Sequence, residues 1–282
     1  MRLNASLSPS AMKLSAALLL LIPSLASFTA RAQTTTSILP PPADSATVTT
    51  TAEPPAAPAP CAHPFGLYDN MERVYHITDA AGKATGQLRY RVVRLGSEMN
   101  KKKTVATTTV LLKSGLYDVK NHLTHQQDLT FRCSRDTSFT DGMTQFAPES
   151  LKSFRDRIFE YAPLNIAWPN HPTVGSTLPG GGSQVQVRSS AVDLAKVTAL
   201  VRKRRIVSGP EPVKTPAGTF QCYKVESERE SMTKARADVA FSTVVRVVDY
   251  YAPAVGVVKT EIYGKNGKLD ETLTLSAITK GK

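Results

Sequence analysis

Side chains able to support chemistry are few and scattered along the chain. His122 and His125 form the one close histidine pair. On a helix that spacing sets two imidazoles on one side, but in a strand an odd spacing sends them to opposite faces. The surrounding residues read as loop running into strand, and a metal site needs three or four converging ligands. No metal is expected. The chain carries no G-x-S-x-G elbow, phosphate-binding loop, H-E-x-x-H motif or EF-hand loop. Its acids show no paired-carboxylate signature. No cofactor is expected, and no catalytic residue can be assigned. What remains is aromatic: Trp168, the single tryptophan, and the adjacent Tyr250 and Tyr251. Such rings combine a large apolar body with a polar edge and suit the rim of a ligand site. In a strand the two tyrosines point to opposite faces, so one is expected inside and one at the rim.

Cys61, Cys133 and Cys222 are widely spaced, with no C-x-x-C pair. One disulfide is plausible if the protein is exported, and with three cysteines one thiol stays free or pairs between chains. A Cys61–Cys133 bridge would pin the start of the domain to a strand end, although spacing alone leaves the connectivity open. Cys222, between strand residues, reads as a small buried hydrophobe.

The N-terminus explains the redox setting. Arg2 and Lys13 precede an apolar run from Leu14 to Ile22, and Ala30-Arg31-Ala32 closes the segment. That pattern describes a secretory leader over residues 1–32; Met12-Lys13 also reads as a natural start. Its apolar core is too short to span a bilayer, and no later segment is long and apolar enough. Residues 33–60 are rich in Thr, Pro and Ala and cannot bury enough surface to offset their ordering entropy. They read as a disordered linker. The mature chain therefore reduces to one domain, residues 61–282, periplasmic or extracellular. The net charge is +12, and removal of Arg2, Lys13 and Arg31 leaves it near +9. Lys101-Lys102-Lys103 and Arg202-Lys203-Arg204-Arg205 are the densest clusters. A basic surface attracts anions such as acidic lipid; nucleic acid is not expected as a partner outside the cell. Solvated loops and charged strand edges account for such clusters equally well.

The elements that must position any site are mostly strands. Met71–Thr78 and Ala84–Leu95 flank a turn and form a hairpin, with Leu88, Tyr90 and Val92 alternating against Gln87, Arg89 and Arg91. Thr104–Leu112, His125–Cys133, Ser183–Ser189, Thr219–Ser227 and Val239–Ala252 continue the pattern. Gly256–Tyr263 and Asp270–Ile278 flank an Asn266-Gly267 turn, a strong hairpin signal. A short strand is expected at Asn165–Trp168, while Ala191–Val201 is readable as helix or strand. One helix is expected, Pro148–Tyr161, because Leu151, Phe154, Ile158 and Tyr161 recur at three- and four-residue spacing. About ten antiparallel strands with one short helix imply an all-β barrel or half-barrel, with a two-sheet sandwich as the alternative.

Three motifs carry a resemblance. Val174-Gly175-Ser176-Thr177-Leu178-Pro179-Gly180 precedes Thr215-Pro216-Ala217-Gly218-Thr219-Phe220-Gln221-Cys222-Tyr223-Lys224, and Tyr250-Tyr251-Ala252-Pro253-Ala254-Val255-Gly256-Val257-Val258-Lys259 follows. Over roughly Cys61 to Ile278 the chain resembles the TapB-like exported bacterial proteins, related to domain-of-unknown-function family 3108. Tyr250 replaces that family's usual Trp and Ala254 a usual Gly. The resemblance implies an antiparallel barrel or half-barrel, sometimes compared with periplasmic lipoprotein carriers, and no established reaction. Gly218 suits a tight turn and Gly256 a bulge or close approach. Three readings of function follow. The barrel could bind an apolar or amphipathic ligand, act as a structural or adhesive envelope protein through protein partners, or be an enzyme with a dispersed site. The empty motif search argues against the last.

Overall fold

β-Branched and aromatic residues alternating with polar ones, punctuated by Gly, Asn and Asp, build a chain made almost wholly of strands. The computed structural model describes residues 61–154, 156–235 and 239–280. The expected leader (1–32) and linker (33–60) lie outside the described residues. Fourteen strands form one sheet: β1 (Glu72–Asp79), β2 (Ala84–Met99), β3 (Ala106–Asp118), β4 (Leu123–Ser134), β5 (Thr137–Thr140), β6 (Ile158–Leu164), β7 (Ile166–Pro169), β8 (Thr177–Leu178), β9 (Gly181–Arg188), β10 (Asp193–Thr215), β11 (Gly218–Lys234), β12 (Ala240–Ala252), β13 (Gly256–Tyr263) and β14 (Leu269–Thr279). Their spatial order is β6-β9-β10-β11-β12-β13-β14-β1-β2-β3-β4-β5-β7, with β8 added against β10. The two ends of this path, β6 and β7, are consecutive in the chain with only Asn165 between them. The sheet therefore curls until its edges nearly meet: an all-β, nearly closed antiparallel barrel. A single hydrogen-bonded path replaces the two-sheet alternative. The strand count exceeds ten because β5, β7 and β8 are short and because β6 occupies sequence expected to be helical. No helix among the described residues is long and apolar enough to cross a membrane.

The expected helix Pro148–Tyr161 is corrected. Only Pro148–Phe154 is helical, as a 3₁₀ segment, and Ile158–Leu164 is β6. Asp156 takes a left-handed φ of 62°, which ends the helical run. Beyond it Ile158 to Leu164 gain a full ladder against β9. Leu151 and Phe154 pack against the buried cluster that includes Phe146, Val185, Val187 and Val197, whereas Ile158 and Tyr161 are half exposed. The ambiguous segment after Ala191 is strand β10, bent by bulges between Arg202 and Glu211.

Two motif glycines do what their positions require. Gly218 opens β11 at φ 139°, and Gly256 opens β13 at φ 91° with the Phe65 ring 3.3 Å from where a Cβ would stand. A larger residue at Gly256 would meet both backbone strain and that ring. The Asn266-Gly267 turn closes with the Gly264 N–H donating to the Lys268 carbonyl at 2.9 Å.

Strand direction defines two ends. One end carries the β2–β3, β4–β5, β10–β11 and β12–β13 turns; the other carries the β1–β2, β3–β4, β9–β10, β11–β12 and β13–β14 turns. The first is filled. Phe65, from the short 3₁₀ turn Pro64–Gly66, meets Phe131 and Tyr251 edge to face, at 5.8 and 6.4 Å between ring centres. Leu67, Val92, Leu112 and Leu129 complete this core, each contributing about 1.5–3 kcal/mol by burial. A disulfide joins Cys61 to Cys133, with Cα atoms 5.5 Å apart, tying the domain's first residue to the end of β4. Cys222 is the free cysteine, fully buried.

Candidate functional site

The floor of the barrel interior is built by β7, β10 and β12. Trp168 on β7 and Tyr251 on β12 lie 4.9 Å apart between ring centres. The Tyr251 hydroxyl donates to the Pro169 carbonyl at 3.1 Å, and the Trp168 Nε1–H donates to Thr140 Oγ1 at 3.1 Å. Arg204 of β10 lies over the indole, its Cζ 4.4 Å from the ring centre. Its Nη1 donates to the carbonyls of Ala167 and Pro179 at 2.8 and 2.9 Å. Burial lowers the Arg204 pKa to about 10, against the opposing pull of Asp249. Arg204 is almost wholly buried, and its Nη2 has no hydrogen-bond partner among the described residues.

Above the floor the wall turns polar. Arg229 on β11, Asp249 on β12 and Glu271 on β14 face inward on otherwise apolar or neutral strand faces. The Arg229 Nε–H donates to Gln145 Oε1 at 2.9 Å, reaching across from the 3₁₀ turn Gly142–Gln145. Its Nη groups have no hydrogen-bond partner among the described residues, and they are not sealed within protein. Arg229 lines the inner cavity of the barrel. Asp249 accepts from Thr260 Oγ1 at 2.6 Å. Burial raises the pKa of Asp249, opposed by Thr260, Arg229 and Arg204. Burial likewise raises Glu271, opposed by Arg229, and lowers Arg229, opposed by Asp249 and Glu271. The three groups thus feel one another electrostatically, yet among the described residues neither acid makes a contact ion pair with the guanidinium. A buried charge without a contact partner is costly and commonly marks a site that receives a polar group.

Two cavities adjoin here, with Arg229 and Asp249 lining the inner one and Glu271 lining both. The inner one, about 190 Å³, is lined by Phe65, Tyr75, Leu112, Phe131 and Trp168 and by these three charged residues. The outer one, about 480 Å³, lies toward the end with the β1–β2 and β3–β4 turns and is lined by Ile77, Leu116, Phe146 and Pro148 with Ser114, His125 and Gln127. Leu88, Tyr90, Thr144, Glu271 and Leu273 line both, so they form one stepped chamber. The outer part alone falls within the roughly 300–1,000 Å³ of small-molecule sites.

The aromatic residues singled out in the sequence are separated. Trp168 is buried and lines the inner cavity. Tyr251 is fully buried beside it in the floor. Tyr250 points outward, hydrogen-bonded to Glu261 at 3.3 Å with Lys259 beside its ring. The three do not share a rim: their strands bring two to the floor and one to the outer surface, as the opposed faces of adjacent tyrosines require. His122 pairs with Asp118 at 3.2 Å on an exposed turn, while His125 lines the outer cavity. Cys222 lines neither cavity, and burial pushes its thiol up to about 11. Sequence reading missed Arg229, Asp249 and Glu271. Each is a charge on the inward phase of an alternating strand, a signal readable only once the register fixes which phase is inward.

Similarity to known proteins follows the same architecture. A protein of Bacteroides fragilis described as exported and as having a YmcC-like fold superposes with a TM-score of 0.57 at 21% identity, over 78% of this chain and 100% of that one. A Parabacteroides distasonis protein described as a lipoprotein gives 0.60 at 18% identity, over 77% of this chain and 98% of that one. At such identities the likeness is one of fold. Comparison with curated proteins gave no match. The DUF3108-like family model matches residues 71–275, which spans the barrel from the start of β1 into β14. This chain belongs to the DUF3108-like family.

Proposed function

We propose that the protein is an exported binding module that holds an amphipathic ligand inside its barrel. The observation that carries this reading is the stepped chamber, apolar at its floor and lined in its inner part by Arg229, Asp249 and Glu271, with no hydrogen-bond partner on the Arg229 Nη groups among the described residues. An apolar body fits against Phe65, Leu112, Phe131 and Trp168, and a polar group carrying hydrogen-bond acceptors or both donors and acceptors meets the three charged residues. Recognition suits this geometry better than catalysis, because the one free thiol lies outside the chamber with its pKa raised.

Export is supported by the leader-like N-terminus, by the Cys61–Cys133 disulfide, which suits an oxidising compartment, and by the descriptions of the two similar structures. Within the DUF3108-like family we assign the chain to the TapB-like exported proteins, on the Thr215–Lys224 and Tyr250–Lys259 motifs.

Titration of the mature protein with a fluorescently labelled fatty acid tests the reading. Saturable one-site binding is expected, and Leu273→Trp, which fills the step between the cavities, should weaken it at least about tenfold. Binding that never saturates, or that Leu273→Trp leaves unchanged, would remove the chamber as the site.

A further inference from the structure

The barrel wall has a strand position that is filled at one end and open at the other. Along the sheet path β6 and β7 have one neighbour each, while every strand from β9 to β5 has two. At the end carrying the β4–β5 turn, β5 fills the place between β4 and β7, pairing Arg132–Ser134 on one side and Ile166–Pro169 on the other. β5 stops at Thr140, and the chain leaves its line for the 3₁₀ turn Gly142–Gln145. The connecting residues Phe146, Leu151 and Phe154 join the buried cluster of β9 and β10 instead. Beyond Thr140, β4 has lost its second neighbour, and β6, which continues the line of β7 across Asn165, pairs with β9 alone. Two strand edges thus face one gap, with no strand between them among the described residues.

The Thr130 N–H donates to Asp141 Oδ2 at 2.9 Å rather than to β3. Strand alternation then turns the N–H and C=O of Gln126 and Asp128 to the same side, where they have no partner among the described residues. Both residues are exposed. On the opposite edge β6 contains Pro163, whose missing N–H is tolerated on an unpaired side. Three of its seven residues, Ile158, Tyr161 and Leu164, are exposed apolar side chains. An edge with unpaired backbone groups and exposed apolar side chains is a template for another strand, and alternating backbone donors and acceptors are matched by a peptide backbone. His125 and Gln127, on the inward phase of β4, line the outer cavity with Ile77, Leu116, Phe146 and Pro148. A strand laid beside them sends every second side chain over an apolar space. We propose that the gap between β4 and β6 takes up an extended peptide of a partner protein, antiparallel to β4, with apolar residues at alternate positions. The edges are open whatever the chamber holds, so the ligand reading is not required.

Panning a random-peptide phage library on the immobilised mature protein, then titrating the enriched peptides, tests it. Enriched sequences should carry apolar residues at every second position, and bound peptide should slow hydrogen exchange at the amides of Gln126 and Asp128. Gln126→Pro removes an edge-facing N–H without touching the β3 ladder. It should leave the urea midpoint near that of the wild type and weaken binding at least about tenfold. Gln126→Ala keeps the backbone and should change binding less than about threefold. Backbone N-methylation at alternate core residues of the peptide keeps every side chain and should weaken binding as much as Gln126→Pro does. Should Gln126→Pro fail to fold, the N-methylated peptides decide alone. Binding that survives both changes, enriched peptides without alternation, unchanged exchange at Gln126 and Asp128, or a library that yields no binder would each overturn the proposal.

Discussion

Arg204 and Arg229 stand on neighbouring strands, both face the interior, and both have pKa values lowered by burial. Their surroundings differ in one respect. Arg204 has a ring beneath it and two carbonyls on its Nη1; its Nη2 is buried without a partner and lines neither cavity. Arg229 has one hydrogen-bond partner, Gln145, and lines the chamber beside two carboxylates that do not touch it. The same side chain is therefore structural in the floor and available in the wall. Burial and charge do not separate the two roles; the number of fixed partners and the presence of a cavity beside the residue do.

The contrast can be broken at the floor first. Cys133→Ser opens the bridge that ties Cys61 to β4 and should cost about 4 kcal/mol of unfolding free energy for a loop of this length, read by urea denaturation. Arg204→Met should cost about 2 kcal/mol, since it leaves the Ala167 and Pro179 carbonyls without their donor. Ligand binding by the folded fraction should stay near normal, and a binding loss without a stability loss would reverse the assignment. In the wall the expected pattern is the opposite. Arg229→Met removes a costly buried charge and should move stability by less than about 1 kcal/mol, while weakening fatty-acid binding at least about fivefold, measured by the same titration.

The smallest effect concerns pH. Glu271 and Asp249 are raised by burial in the folded protein. The unfolded chain ionises first as pH rises, so each acid favours the folded state at low pH and withdraws that stability as pH climbs through its folded pKa. Glu271→Gln should flatten the stability profile as pH rises above about 4.3, the ordinary glutamate value, and lift its neutral end by less than about 1 kcal/mol. A steeper profile in the variant would mean that Arg229 holds Glu271 ionised despite its burial.

Much of the barrel was legible in the chain. The hairpin at Asn266-Gly267, the alternation in β2 and the Gly256 close approach depend on local backbone rules, and local rules are visible in sequence. The Pro148–Tyr161 segment misled because its apolar residues fit a helical period, whereas the ladder of β6 on β9 is a long-range choice that no local window contains. The site was less legible for the same reason. Tyr250 and Tyr251 could be assigned to opposite faces, but which face was inward depended on pairing with β11 and β13. Arg229, Asp249 and Glu271 lie on three strands between residues 229 and 271, and only the closed sheet turns them toward one space.

Native mass spectrometry of the mature protein, purified gently from its own cell envelope, tests the central claim most directly. The account predicts a co-purifying small amphiphile bound one to one, released on unfolding and absent from the Leu273→Trp variant. The bare polypeptide mass for the native protein, or the same bound species retained by Leu273→Trp, would contradict it.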